Sequence, residues 1–504
     1  MSAWAGAAND SGSATFYVAP ALTQLHSGAV PEEATDEASL IAARGEREAF
    51  FVVLRGGAAA SGRLRVRWSP LRSPRGMIGS TQLRVYRALW ADAGGKRVAD
   101  ALVPIDAHVE VIGASVEPGE DLPLYVEVTV PRTATPGAYT GRLEIESDGG
   151  RAQVPIHLQV SAARLPLRAS LPTAFEFSSR EAALGAGEPL DANDLRRLVS
   201  NYALLALADR VTLIGGTGQA PAFHVIRGEN ALRVDYRNFD AEVATLMNGV
   251  PALGGAAQSA ITLRLPDGIR GLERFRYVMA FEQHLREKGW ADRLIAFSDH
   301  PALMDVVVPD AILAHRVHEC AFADCARGKV GENRWWTLRP ARESSALRLG
   351  ASAAQVRAIA WLAFAGGAQG LRYTGVVSGF GEARSKGTAP VDALFYPVTP
   401  GKGGEVRVVE SLRLKALRDG LEDYELLKLA REAGRGGVAG EWVTRIAPAP
   451  DRVSAAPVVW RKAREALHGA VGDAVAAKTS GPADPVPADR ACAGKGDGST
   501  TVCP

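Results

Sequence analysis

The chain has 504 residues, 47% of them hydrophobic and 23% charged, which is ordinary for a globular protein of two or three domains. Its formal net charge is only +2, from 58 basic and 56 acidic residues, and this argues against a nucleic-acid-binding or membrane-surface protein. No run of about 18 consecutive apolar residues occurs, so the sequence predicts no membrane-spanning helix.

The N-terminal third has the pattern of a β-sandwich. Residues 1–14 are small and polar and are predicted to be disordered. Over residues 15–163, short runs of alternating apolar and polar residues recur, most clearly at 154–160, where every second residue is apolar. Proline and glycine mark turns between such runs, as at 131–137. This pattern predicts a β-sandwich over residues 15–163.

After a linker, residues 173–435 alternate between helix-like and strand-like segments. Such alternation predicts a parallel α/β fold, most simply a (β/α)8 TIM-like barrel, complete or shortened. Residues 411–434 have the strongest helical pattern, and the charged residues at 419–425 are expected on a solvated or ion-paired face. Residues 436–477 are predicted to form a C-terminal helical extension, and residues 478–504 a flexible tail.

The chain contains four cysteines in two close pairs, Cys320 with Cys325 and Cys492 with Cys503. Short-range pairs in an otherwise cysteine-free chain indicate disulfides and an oxidising compartment, and therefore a secreted or cell-envelope protein. The N-terminal residues lack the charged and apolar regions of a signal peptide, so a cytoplasmic location is the alternative.

A metal site is the competing interpretation of the first cysteine pair. His315 and His318 precede Cys320 and Cys325, and these four side chains are of the types that bind zinc. Their spacing matches no zinc finger that we can justify, so the sequence favours a local disulfide and no metal.

Several segments carry a family resemblance, in the same order and within residues 45–430. They include 100–104, 130–141, 357–375, 411–427, and a Gly289-Trp290 pair followed by Asp299-His300-Pro301. Together they resemble glycoside hydrolase family 123, which has a β-sandwich, a (β/α)8-type catalytic barrel and a characteristic C-terminal helical segment.

The resemblance implies a carbohydrate substrate and no metal or organic cofactor. The family removes β-linked N-acetylgalactosamine by a substrate-assisted mechanism, in which the substrate's own 2-acetamido oxygen attacks the anomeric carbon. An aspartate orients the acetamide and the adjacent glutamate protonates the leaving oxygen. This is the usual division of roles between paired carboxylates, at the strand end of a barrel where active sites are built.

The sequence departs from the family pattern at the catalytic pair. Asp299 matches the acetamide-orienting residue, but His300 stands where the family has its acid. A histidine with an unperturbed pKa near 6.5 is mostly neutral at pH 7. The spacing after Pro301 is also short, and Lys415 stands where the C-terminal motif usually has glutamate.

Other carboxylates could replace the missing acid, and the candidates are Glu282, Asp305, Asp310 and Glu319. Asp310 follows a strand-like run at 304–308, which makes it the best placed of the four. The simpler interpretations are that Asp299 caps the next helix and that His300 is a loop histidine. The predicted catalytic residues are therefore Asp299, His300 and Asp310.

Three aromatic residues are candidates for sugar binding. Trp335 and Trp336 are adjacent on a predicted strand, so their side chains point to opposite faces. One should lie in the core, and the other could stack on the apolar face of a sugar ring. Tyr373 has the same two interpretations, and Thr374 follows it where the family has a second aromatic residue.

Three functions are compatible with these observations. The first is a glycoside hydrolase that acts on a glycan with an amino sugar, through Asp299. The second is a carbohydrate-binding protein that has lost catalysis, and the third is a glycosidase of other specificity. A carboxylate within about 5–10 Å of Asp299 would favour a hydrolase.

Overall fold

A computed structural model describes residues 15–55, 64–105, 121–147, 150–187, 190–226, 231–303, 308–327, 334–339, 346–398 and 407–479. The predicted disordered terminus and nearly all of the predicted tail lie outside these residues. The N-terminal strands are β1 (Phe16–Pro20), β2 (Ala38–Arg44), β3 (Arg47–Leu54), β4 (Leu64–Trp68), β5 (Leu71–Ser73), β6 (Gly76–Ile78), β7 (Leu83–Asp92), β8 (Arg97–Ile105), β9 (Leu122–Thr129), β10 (Gly137–Ser147) and β11 (Gly150–Arg164).

The α/β region begins at β12 and is followed by the C-terminal helices. Its elements are β12 (Thr173–Glu176), α1 (Ser179–Ala186), α2 (Ala192–Ala208), β13 (Leu213–Ile214), β14 (Ala222–Ile226), β15 (Ala231–Asp235), α3 (Arg237–Asn248), β16 (Ile261–Thr262), α4 (Gly271–Glu287), β17 (Leu294–Ile295), α5 (Asp310–Leu313), β18 (His318–Ala321), α6 (Phe322–Cys325), β19 (Arg334–Leu338), α7 (Ala353–Ala365), β20 (Gly370–Tyr373) and α8 (Phe380–Lys386). The chain ends with β21 (Phe395–Val398), β22 (Arg407–Ser411), α9 (Leu412–Glu432), α10 (Gly436–Ile446) and α11 (Pro457–Thr479).

Two sheets pack face to face in the N-terminal region. One sheet has the order β2-β11-β10-β5-β6, with β4 also on β10. The other has the order β1-β3-β9-β7-β8-β22-β21, so two strands from beyond the α/β region complete it. Alternate residues of β11 are buried in the core between the sheets, among them Val154, Ile156, Leu158 and Val160. The predicted organisation, β followed by α/β, is confirmed.

The α/β region contains seven short parallel strands. Five form a sheet in the order β13-β12-β20-β19-β18, and β16 pairs with β17. A parallel bridge between Ala296 and Arg316 connects the two groups. Because β12 pairs directly with β20, no eighth strand lies between them. The predicted eight-stranded barrel is therefore not found in the described residues, since the chain after β20 returns to the sheet that contains β1, as β21 and β22.

Helix α9 packs against α7, and most of its residues are buried, including its charged residues at 413–425. Its charged run is therefore ion-paired and buried rather than solvated. Ser411 caps the helix by accepting the Leu414 N–H, which satisfies one of the free backbone donors of the first turn. At Gly420 the helix passes so close to α7 that a Cβ atom would overlap the carbonyl oxygen of Arg357.

We expect Gly420→Ala to lower the free energy of unfolding by about 1–3 kcal/mol, because the added methyl meets rigid backbone. The matched control is Gly440→Ala in α10, where nothing lies within 4 Å of the added atom. This control should gain up to about 1 kcal/mol from helix propensity. Urea unfolding of both variants measures the difference, and a stabilised Gly420→Ala protein would contradict the close contact.

Candidate functional site

A group of charged side chains lies at the carboxyl ends of the parallel strands, around Arg372 of β20. Its Nε donates to Glu176 Oε1 at 2.6 Å, its Nη1 to Glu319 Oε1 at 2.7 Å, and its Nη2 to Asp299 Oδ2 at 2.9 Å. Glu176 ends β12 and Glu319 lies in β18, so elements distant in sequence meet here. We call Glu176, Asp299, Glu319 and Arg372 the Arg372 cluster.

The guanidinium of Arg372 forms the buried base of this cluster. It lies 4.2 Å from the ring centroid of Phe297, in a cation–π contact. Its side chain is 9% exposed, whereas that of Asp299 is 62% exposed. Burial alone would lower the pKa of Arg372, but hydrogen bonds from Asp299, Glu319 and Glu176 outweigh burial and raise it. Arg372 therefore stays charged, with Asp299 open to solvent above it.

The three carboxylates are close enough together to act on one substrate. Glu319 also accepts hydrogen bonds from Thr337 Oγ1 at 2.8 Å and from Ser298 Oγ at 3.2 Å. Because Asp299 and Glu319 bind one guanidinium, their bonded oxygens are at most about 8 Å apart, within the range of about 5–9.5 Å for paired carboxyls of glycosidases.

His300 does not have the hydrogen bonds of a proton donor. Its Nδ1 accepts the Ala302 N–H at 3.1 Å, and its Nε2 lies 3.0 Å from the Leu263 carbonyl oxygen. Burial lowers the pKa of His300 below its ordinary 6.5, although the Leu263 carbonyl and the charge of Asp299 act in the opposite direction. In the neutral ring the one N–H is directed at this backbone carbonyl, so these contacts do not support His300 in place of the family acid, and that role stays a prediction.

The other predicted acids lie in different places. Asp310 is the exposed first residue of the four-residue α5, and no contact joins it to the Arg372 cluster among the described residues. Glu282 is buried on α4 and pairs with Arg286 of the same helix. Asp305 lies outside the described residues. Of the three candidates within the described residues, only Glu319 meets Asp299 at one guanidinium.

The three predicted sugar-binding rings are buried. Trp335 packs beside Phe297 in the apolar cluster beneath Arg372, and its ring centroid is 5.6 Å from that of Phe297. Trp336 points to the opposite face of β19, where it is fully buried against Phe322 and Gly366. The Tyr373 hydroxyl donates to the Asp392 carbonyl at 2.6 Å, and its ring is fully buried. None of these rings offers an open face to a sugar, so this expectation is corrected.

Cys320 and Cys325 are joined as a disulfide, with their Cα atoms 5.9 Å apart. No group of three or more histidine, cysteine or carboxylate side chains that could hold a metal is found in the described ranges. Cys492 and Cys503 lie outside those ranges, so their pairing stays a prediction. A membrane-spanning helix is likewise not found in the part of the chain that the structure describes.

Sequence reasoning missed Glu176 and Arg372. Both are charged residues in short, mostly apolar strands. Because side chains alternate between the two faces of a strand, both point away from the neighbouring helices. Their apolar neighbours Phe175, Leu371 and Tyr373 pack into the outer core, which leaves Glu176 and Arg372 inside the ring of strands. A charge in the middle of an otherwise apolar strand was the available signal.

The chain is thus a multidomain β plus α/β protein with a charged site at the strand ends. No protein-family model and no curated protein matches it. Its fold is similar to the solved structure of a family 123 glycoside hydrolase from Clostridium perfringens, described as revealing details of glycolipid glycan hydrolysis. That similarity has a TM-score of 0.60 and 11% identity, and it covers 92% of this chain and 99% of the other.

Two further similarities are too weak to support an argument. The N-terminal domain of PorA has a TM-score of 0.16 and 14% identity, over 30% of this chain and 99% of that chain. The sialic-acid-binding region of a Streptococcus sanguinis adhesin also has a TM-score of 0.16, with 12% identity, over 40% of this chain and 45% of that chain.

Proposed function

We propose that this protein is a glycoside hydrolase of the family 123 type, and that it cleaves a β-linked amino sugar from a glycan at the Arg372 cluster. The observation that carries the proposal is the meeting of three carboxylates, one of them the solvent-exposed Asp299, on one buried guanidinium. The fold similarity supports it, as does the position at the carboxyl ends of parallel strands, where barrel enzymes build their sites. The disulfide suits a secreted or cell-envelope location.

In the proposed mechanism, Asp299 accepts the N–H of the substrate's 2-acetamido group, and the acetamide oxygen forms a bond to the anomeric carbon. The bond from that carbon to the leaving oxygen breaks as Glu176 delivers a proton to this oxygen. Glu176 binds Arg372 through Oε1 only, so its Oε2 is available to hold the proton. Water then attacks the anomeric carbon, and its proton returns to Glu176 as the acetamide is restored.

Hydrolysis of the p-nitrophenyl β-glycosides of N-acetylgalactosamine and N-acetylglucosamine tests this proposal. We expect Asp299→Asn and Glu176→Gln to lower kcat/KM by about 10²–10⁴-fold, the usual contribution of a positioned acid or base. Glu441→Gln in α10 removes an exposed carboxylate outside the site and should keep full activity. His300→Gln should leave the pH profile unchanged, because His300 supplies no proton.

Full activity in Asp299→Asn would overturn the proposal. A fall in rate above pH 6.5 that disappears in His300→Gln would return the acid role to His300.

A second candidate function is glycan binding without hydrolysis. It is favoured by His300, which stands where the family has its acid and whose two ring nitrogens are both held by backbone groups. Calorimetry with the same glycosides distinguishes the two functions. Binding that requires Asp299, with no turnover at any pH, would support this candidate and reject hydrolysis.

A further inference from the structure

The ring of parallel strands is open at one seam, between β13 and β16. No backbone ladder joins these two strands in the described residues. Before the two strands begin, side chains hold the seam together: Thr212 Oγ1 accepts the Ser259 N–H at 3.0 Å, and the two hydroxyl oxygens are also 3.0 Å apart. Beyond the two strands a longer contact crosses the seam, from Arg264 Nη1 to the Gln219 carbonyl oxygen at 3.4 Å, beside an opening in the wall.

A cavity of about 1350 Å³ occupies this opening, between α2, α3 and the loop after β13. It exceeds the about 300–1,000 Å³ that is typical of sites for small molecules. Exposed residues of the two helices, Ser200 of α2 and Thr245 of α3, line its flanks. The cavity therefore has room for a ligand larger than a single sugar.

The cavity is lined by residues that neighbour the Arg372 cluster. Ile214 and Ala260 line it and also pack in the apolar cluster that contains Phe297, on which the Arg372 guanidinium rests. Ile214 is also the β13 partner of Glu176 in the ladder, and Phe177, the next residue, lines the cavity. A ligand held at Glu176 could thus continue into the seam without leaving the protein surface.

The lining suits a neutral ligand that has both hydroxyls and apolar faces. Arg264 and Glu242 pair with each other at 2.7 Å, and Thr217 Oγ1 donates to the second Glu242 oxygen at 2.7 Å. These charges are therefore compensated, while their remaining lone pairs and N–H groups can meet hydroxyls. The half-buried ring of Phe223 adds apolar surface of the kind on which sugar faces pack.

We propose that this seam cavity binds the part of the glycan beyond the cleaved sugar, so that the substrate is an oligosaccharide. The inference rests on the proposed function, because it assigns the cleaved sugar to the Arg372 cluster. The seam gives the protein a preference for length, since a single sugar held at Asp299 would leave the seam cavity empty.

The experiment compares a monosaccharide with a trisaccharide. The first probe is p-nitrophenyl N-acetyl-β-galactosaminide, and the second is a trisaccharide with a β-linked N-acetylgalactosamine at its non-reducing end. Ser200→Trp and Thr245→Trp fill the cavity from exposed helix positions, and Asn201→Trp is the matched control on α2, exposed and outside the lining. Hydrolysis and calorimetric binding are both measured, with Asp299→Asn in parallel.

We expect Ser200→Trp and Thr245→Trp to lower kcat/KM and binding affinity for the trisaccharide by at least about tenfold. The same quantities for the monosaccharide should fall by less than about twofold. Asn201→Trp should change neither. Unchanged use of the trisaccharide by both filled variants, or equal losses on both probes, would overturn the inference. If Asp299 is required for both probes while the filled variants have no effect, only the cavity assignment fails. If Asp299→Asn loses nothing on either probe, the proposed function fails, and this inference fails with it.

Discussion

Arg418→Met is expected to lower the free energy of unfolding by about 3–5 kcal/mol, the usual effect of removing one partner from a buried ion pair. Arg418 of α9 is fully buried. Its Nη1 donates to Glu127 of β9, and its Nη2 donates to Asp419 at 2.7 Å. Methionine fills much of the same space but leaves these carboxylates buried without their main cation.

The effect should be large because the whole group of charges lies between the sandwich and the α/β region. Lys415 Nζ lies 2.9 Å from Glu410, 3.1 Å from Asp209 and 3.5 Å from Glu127. Burial, with the charge of Asp209 next to it, raises the pKa of Glu410 to about 8, so Glu410 is largely protonated at pH 7. The remaining carboxylates therefore depend on Lys415 and Arg418 for compensation.

Urea unfolding at pH 7 measures this prediction, with coincident circular dichroism and fluorescence transitions as the test of two-state behaviour. The control is Arg461→Met on α11, which removes an exposed arginine paired with Glu465. Exposed pairs contribute about 0–1 kcal/mol, so this variant should be nearly as stable as the parent. Similar losses in both variants would contradict the role of the buried pairs.

The β-sandwich could be predicted because the alternating pattern that marks each strand lies within that strand's own sequence. In β11, alternate apolar residues mark the buried face directly, and the structure buries those same side chains. The pattern in β9 indicated one buried face, yet seven of its eight residues are buried, because α9 covers the other side. Periodicity shows which side chains share a face, but it does not show what will cover the opposite face.

The sequence did not show which charged residues would be buried and ion-paired. The charged run of α9 has the composition of a solvated helix face, and it becomes buried only because Arg357, Arg464 and Glu46 arrive from elsewhere in the chain. The same limit applies to the Arg372 cluster. A local motif indicated Asp299, but Glu176 and Arg372 join it through strand pairing between segments almost 200 residues apart. The residue pattern of a strand or helix shows which face each side chain is on, whereas these contacts depend on which elements the fold brings together.

Arg372→Met is expected to lower kcat/KM by at least about 10²–10³-fold, the effect of losing a preorganised charge in an active site. Without the guanidinium, Glu176, Asp299 and Glu319 are left together with no shared cation. The mutual repulsion of these three carboxylates is then no longer compensated, so we expect their arrangement to change. Asp299 also loses the donor that now fixes its Oδ2 at 2.9 Å.

Two further variants separate the role of charge from that of geometry. Arg372→Lys keeps the positive charge but cannot form the forked contacts with three carboxylates, so it should recover only part of the activity. Arg334→Met, at the exposed start of β19, is the matched arginine control and should keep full activity. Equal activity in Arg372→Met and the parent would show that the cluster stabilises the α/β region without taking part in hydrolysis.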